Sequence, residues 1–339
     1  MKRIFFALLL LVAFNACKNQ EISFPDNDFT SGYFPYQYPV RTLVLGNYIY
    51  DNTNDNNHKF LISATMGGVY ENKKDRVFKI QVDESLCQNA FFSGTGTPII
   101  PLPRNYYTLS SENEIVIPAG SVSGSIEVQL TDAFFEDPLA SKLAYVVPIR
   151  ITAVSELDSL LKGLPRVPNA DPRVVTDWEI VPKNFTMFAV KFVNPFHGNY
   201  FLRGKSTLKD STGQVIETST YEEQFVEQNP VLGLVSISKN QVKGTSSLRS
   251  GSLNGTFDMI LTFNGNDCVV SSPEGAAYEV TGTGKFMENA DEWGNKKRDA
   301  IQLAYEVKVG NQTYSANDIL VVRDRNVVME VFQPVVQNN

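Results

Sequence analysis

Gly124-Ser125-Ile126-Glu127-Val128-Gln129-Leu130 alternates without a break, so that Ile126, Val128 and Leu130 fall on one face and Ser125, Glu127 and Gln129 on the other. A period of two belongs to a strand with one buried face, because successive side chains of an extended backbone point to opposite sides. The pattern extends upstream. Glu114-Ile115-Val116-Ile117-Pro118 leads into it through a turn at Ala119-Gly120. Residues 76–82 set Phe78, Ile80 and Val82 against Lys79 and Gln81, and residues 58–66 alternate Phe60, Ile62, Ala64 and Met66 with Leu61, Ser63 and Thr65 before Gly67-Gly68. Runs at 33–36, 41–45, 99–103, 106–109 and 145–154 bring the total to nine short runs, which fits a sandwich of about seven strands with turn signals at immunoglobulin-like spacing. The Cys-Trp-Cys signature of true immunoglobulin domains is missing, so the reading stays at the level of architecture.

Residues 155–184 differ in kind. Pro165, Pro168 and Pro172 stop any helix begun by Leu157, Leu160, Leu161 and Leu164, and the stretch reads as a linker. Beyond it, 185–193 reads as a strand, and about nine more short strands between 200 and 323 are joined by Gly, Asn, Ser and Asp turns, as in an up-and-down antiparallel barrel or a second sandwich. No long helix alternates with the strands, which excludes a parallel α/β fold. The expectation is an all-β protein with an N-terminal sandwich over 31–154, a linker over 155–184 and a β-barrel domain over 185–339.

The chain has 339 residues, 42% hydrophobic and 20% charged, enough apolar material for two packed cores. A net charge of −7 with no Lys/Arg cluster argues against nucleic acid, whose phosphates need a positive footprint. Two histidines, His58 and His197, and three cysteines without metal spacing leave no compact zinc site and no compact Cys-His or Ser-His unit; no cofactor is expected.

Residues 1–17 combine Lys2-Arg3, an apolar run over 4–14 and Asn15-Ala16-Cys17, the order of a bacterial lipoprotein signal with lipid on Cys17. The run is shorter than the roughly 20 residues a bilayer span needs. Phe14 and Asn15 depart from the usual cleavage box, which leaves an ordinary signal peptide or a buried cysteine as alternatives. Residues 18–30 read as a polar tether. With Cys17 lipidated, Cys87 and Cys268 remain as two free, buried thiols.

The strings at 33–42 (Tyr33-Phe34-Pro35-Tyr36-Gln37-Tyr38-Pro39-Val40-Arg41-Thr42), 107–118 and 194–200 (Asn194-Pro195-Phe196-His197-Gly198-Asn199-Tyr200), taken with the lipoprotein signal, resemble a Bacteroidetes family of surface lipoproteins that joins a DUF1735 domain to a DUF4361 domain. The resemblance implies a lipocalin-like barrel for the second domain. It also implies a non-catalytic, outer-membrane glycan-binding role, holding an oligosaccharide for a SusC/SusD-like importer. Other classes that fit the sequence are a structural or adhesion protein and, less well, a glycan-degrading enzyme, for which no carboxylate pair stands out.

Sugar-binding sites combine aromatic rings with Asn, Asp, Gln, Lys or Arg on exposed, pre-formed surfaces. The stretch that fits best is the expected hairpin loop at 288–298, where Trp293 lies among Asn289, Asp291, Asn295 and Lys296. The competing reading is a Trp folded back as a lid on its own barrel. Trp178 reads as a plug at the domain seam and His197 as a structural hydrogen-bonding group. Residues 51–57 carry alternating oxygen ligands but lack the Gly and the bidentate Glu of a calcium loop.

Overall fold

The structure, a computed structural model, describes residues 29–337; the expected signal peptide and lipidated Cys17 lie outside the described residues. The N-terminal half packs two sheets face to face. One runs in the order Ser159–Leu160, Ser31–Tyr33, Lys59–Gly67, Ser123–Leu130, Tyr107–Leu109. The other runs Glu330–Val331, Pro39–Val44, Phe185–Val193, Tyr145–Ser155, Arg76–Val82, Glu114–Ile117, with Ile100–Pro101 beside Tyr145–Ser155. Ile126, Val128 and Leu130 are buried together with Phe60, Ile62, Phe78, Ile115, Val147 and Ile149, so the alternating faces found in the sequence meet between the sheets.

One strand departs from expectation. Phe185–Val193, assigned by sequence to the barrel domain, is an inner strand of the sandwich, antiparallel to Tyr145–Ser155 and parallel to Pro39–Val44. Its near-continuous apolar run has a physical reason: the strand is covered on both faces. Val190 and Phe192 enter the main core, while Phe185, Met187 and Ala189 pack outward against Leu86, Cys87, Phe92 and Phe332. The segment 155–184 is also partly ordered into sheet, through Ser159–Leu160 and the pair Leu164–Pro165 with Trp178–Ile180. The chain end returns to the sandwich, where Pro334–Val336 pairs with Ala90–Phe92.

Between these excursions lies a closed eight-stranded barrel. Its consecutive neighbours are Gly198–Lys209, Val231–Ser236, Gln241–Ser247, Thr256–Asn264, Asp267–Ser271, Glu279–Trp293, Lys296–Val309 and Gln312–Asp324, with the last pairing back onto the first. Val215–Tyr221 lies beside the far half of Gly198–Lys209. Closure removes the exposed edges that an open sheet would present. Tyr200, Leu202, Met259, Leu261, Ile301, Leu303 and Tyr314 fill the inside, and Cys87 and Cys268 are both free and buried.

The two halves are joined by a polar staple. Arg325, buried just after the last barrel strand, donates from Nε to the His197 carbonyl (2.8 Å) and from Nη2 to Leu45 (3.0 Å) and Asn194 (2.7 Å). Its Nη1 reaches the Asn47 carbonyl at 2.6 Å. His197 accepts the Ser236 N–H on Nδ1 at 3.0 Å; burial, aided by the charge of Arg325, pushes its pKa down to about 4. It is a neutral structural group at the seam.

Candidate functional site

Strand register builds the site. On the outside of the barrel, Thr220, Lys205, Asn317, Ala304 and Thr283 are direct cross-strand neighbours in one row spanning five strands. Two residues further along, Arg203, Ile319, Gln302 and Lys285 form a second row. Glu222, just past the edge strand, is ion-paired to Arg203 at 3.2 Å and completes that row. Together they line a groove of about 690 Å³, within the range of small-molecule sites.

Glycines stand on the inner side of the wall here. A Cβ on Gly204 would lie 2.6 Å from Asp318 Oδ1, and one on Gly284 would lie 2.5 Å from Leu303 Cδ2 and 2.8 Å from Cys268 Sγ. Neither inward position has room for a side chain, so the strands lie close over the groups beneath them.

A third outward row, Phe201, Val321, Ala300 and Met287, is apolar. Left bare it would expose a contiguous hydrophobic strip, but Phe201, Val321 and Ala300 are buried. The hairpin at 288–298 folds over that row. Trp293 meets Phe201 edge-to-face at 5.4 Å, and its Nε1 donates to the Val322 carbonyl at 2.9 Å. The Arg298 guanidinium lies 4.0 Å from the indole centroid. The ring is half-buried and fixed to its own barrel.

The other residues singled out on this hairpin have defined places. Asp291 pairs at 2.5 Å with Arg203, which lines the groove. Asn295 follows Gly294 in the tight turn, both with left-handed φ (58° and 60°), as a type I′ turn requires. Asn289, also left-handed, sits where the register shifts between Met287 and Asp291, and its N–H donates to Asp299 Oδ1 at 2.9 Å. Lys296 is paired with Trp293 across the end of the ladder. Of the five, Asp291 alone touches a groove-lining side chain among the described contacts.

The groove carries both donors and acceptors. Arg203 is shared between Glu222 and Asp291, while the ammonium groups of Lys205 and Lys285 have no ion-pair partner among the described residues. Asn317, Gln302, Thr220 and Thr283 add neutral groups able to hydrogen-bond hydroxyls. Among the described residues no cluster of His, Cys, Asp and Glu is placed to hold a metal ion. Residues 51–57 form a helical turn, Thr53–Asn56, whose buried Asp55 accepts from the Val44 N–H (2.9 Å) and pairs with Arg41.

Sequence reasoning missed the groove because its residues come from five separated strands, each polar and unremarkable on its own. A signal was present in Gly282-Thr283-Gly284 and Gly204, glycines at inward positions of otherwise alternating strands.

Comparison with known proteins corrects one expectation. The family profiles that match are the domain of unknown function DUF5627, over residues 195–326, and a family described as an N-terminal domain, over 25–158. The DUF1735 and DUF4361 pair expected from the strings at 33–42, 107–118 and 194–200 is thereby replaced. No curated protein matches the chain. Among solved structures, a Bacteroides ovatus protein of unknown function is 37% identical, with a TM-score of 0.86, over 91% of this chain and 100% of its own. A second Bacteroides ovatus protein of unknown function is 13% identical at a TM-score of 0.44, over 89% of this chain and 99% of its own. A third, provisionally described as a carbohydrate-binding protein, is 13% identical at a TM-score of 0.28, over 88% and 98%. At those TM-scores the last two have no bearing on function. Identity of 37% along nearly the whole length does carry weight: the chain belongs to the same family as the first Bacteroides ovatus protein, and the DUF5627 match falls on its barrel.

Proposed function

We propose that the protein is a non-catalytic saccharide-binding protein whose ligand lies in the groove on the outer face of the barrel. The observation that carries the reading is the register, which brings Lys205, Asn317, Thr283, Arg203, Gln302 and Lys285 onto one pre-formed polar surface. The sheet fixes the backbone positions of these groups, so binding orders their side chains alone, and many modest hydrogen bonds to hydroxyls can add up to useful affinity. Asp291, on the hairpin at 288–298, orients Arg203.

The cellular setting belongs to the same proposal. The pattern of residues 1–17 supports a lipid anchor on Cys17 and an outer-membrane, surface-exposed location. An anchored binding protein raises the local concentration of polymer for a neighbouring importer of the SusC/SusD type.

The test is affinity electrophoresis of the protein through gels containing plant, fungal and host polysaccharides. Retardation by at least one polymer is expected, and Ala304→Trp, which fills the exposed floor without touching the core, abolishes it. Failure of every polymer to retard the protein, or retardation unchanged in Ala304→Trp, would refute the assignment.

A further inference from the structure

The shape of the groove limits how a saccharide can lie in it, and this step rests on the saccharide-binding reading above. Its floor is two residues wide along the strands but five strands across, from Thr220 on the edge strand Val215–Tyr221 to Thr283 and Lys285 on Glu279–Trp293. Strands lie about 4.8 Å apart and residues about 3.4 Å apart along them, so the floor measures roughly 19 Å by about 7 Å and its long axis crosses the strands. The hairpin at 288–298, seated on the apolar row Phe201, Val321, Ala300 and Met287, meets the groove's near row through the Asp291–Arg203 ion pair. At one end, Val215–Tyr221 pairs with a single neighbour, so no further strand closes the groove there.

We infer that the groove holds an internal stretch of a linear polysaccharide, laid across the strands and spanning several sugar rings along a floor of roughly 19 Å. A single sugar or a chain end would fill only a fraction of the floor and leave most of the hydrogen-bonding groups to water. The two ends contribute different groups. Lys205 and Arg203, with Glu222, serve the rings nearest the edge strand, and Thr283 and Lys285 serve those at the far end. Ala304, between Asn317 and Thr283, is the smallest side chain of its row and marks where a ring comes closest to the backbone.

The experiment is calorimetry of the protein with fragments of whichever polymer retards it, from one to about seven units, with and without reduction of the terminal sugar. Affinity should rise by more than tenfold between two units and several and then level off, and reducing the terminal sugar of the longer fragments should leave it unchanged. Lys285→Ala should weaken binding of the longer fragments several-fold while changing a two-unit fragment much less. Binding of one or two units as tight as the polymer would overturn the inference and leave the saccharide-binding reading standing, as would loss of binding on reduction of the terminal sugar. Absence of binding to every polymer would overturn both.

Discussion

Replacing Arg325 by Met removes five N–H donors while keeping a side chain of similar length. Four of those donors are used, on the carbonyls of His197, Asn194, Leu45 and Asn47, at 2.6–3.0 Å. Hydrogen bonds from a charged donor contribute about 1.5 to 3 kcal/mol each, so the gross loss is about 6 to 12 kcal/mol. Against this stands the several kcal/mol spent in burying the cation, which Met does not incur. Water can reach some of the freed carbonyls, notably near Asn47. The expected net loss of stability is about 3 to 5 kcal/mol, a large share of the roughly 5 to 15 kcal/mol that holds a typical domain folded. The assay is urea unfolding followed by fluorescence in two single-tryptophan backgrounds, because Trp178 lies on the sandwich side and Trp293 on the barrel. Since the staple joins the halves, the two transitions should coincide in the parent chain and separate in Arg325→Met. A loss below about 1 kcal/mol, with transitions still coincident, would refute the idea that these four bonds couple the halves.

Two further outcomes follow from other parts of the barrel. The Glu217 carboxylate accepts from the Gly251 N–H, the Ser250 hydroxyl, the Ser252 N–H and the Ser219 hydroxyl, which together lower its pKa from 4.5 to about 2. A depressed carboxyl pKa stabilises the folded state above the unfolded value, and that contribution fades as pH falls from 4.5 to about 2. The stability gap between the parent and Glu217→Gln should therefore narrow across that window, and a carboxyl titration by NMR centred near 4.5 would contradict it. Gly284→Ala forces a methyl against Leu303 Cδ2, Cys268 Sγ and the Gln302 carbonyl. It should destabilise by about 1 to 3 kcal/mol in urea titration; an unchanged midpoint would show that the inward position has room for a side chain after all.

The strands of both halves were legible wherever one face alone is buried. Ile126, Val128 and Leu130 declare their sheet by alternation, and so do the barrel strands with Met259 and Leu261 or Leu303 and Tyr305 inside. Phe185–Val193 was misplaced because a strand covered on both faces carries no alternation to say which core it belongs to; parallel pairing with Pro39–Val44, far away in sequence, decided it. Trp293 was legible as an unusual residue on a polar hairpin. What lay beneath it was not, since the apolar outward row of Phe201, Val321 and Ala300 exists only once three strands are in register.

Composition, period and turn chemistry thus determined an all-β chain with two cores, a hairpin loop at 288–298 and two buried free thiols, because each of these depends on residues near one another in sequence or on burial alone. Tertiary structure decided the rest. Closure of the barrel, the Arg325 staple and the five-strand groove all depend on register between segments as much as 280 residues apart, as with Arg325 and Leu45. A one-residue slip of any one groove strand would turn that strand's groove side chains to the opposite face, and which strands lie side by side is not set by any local pattern in the sequence.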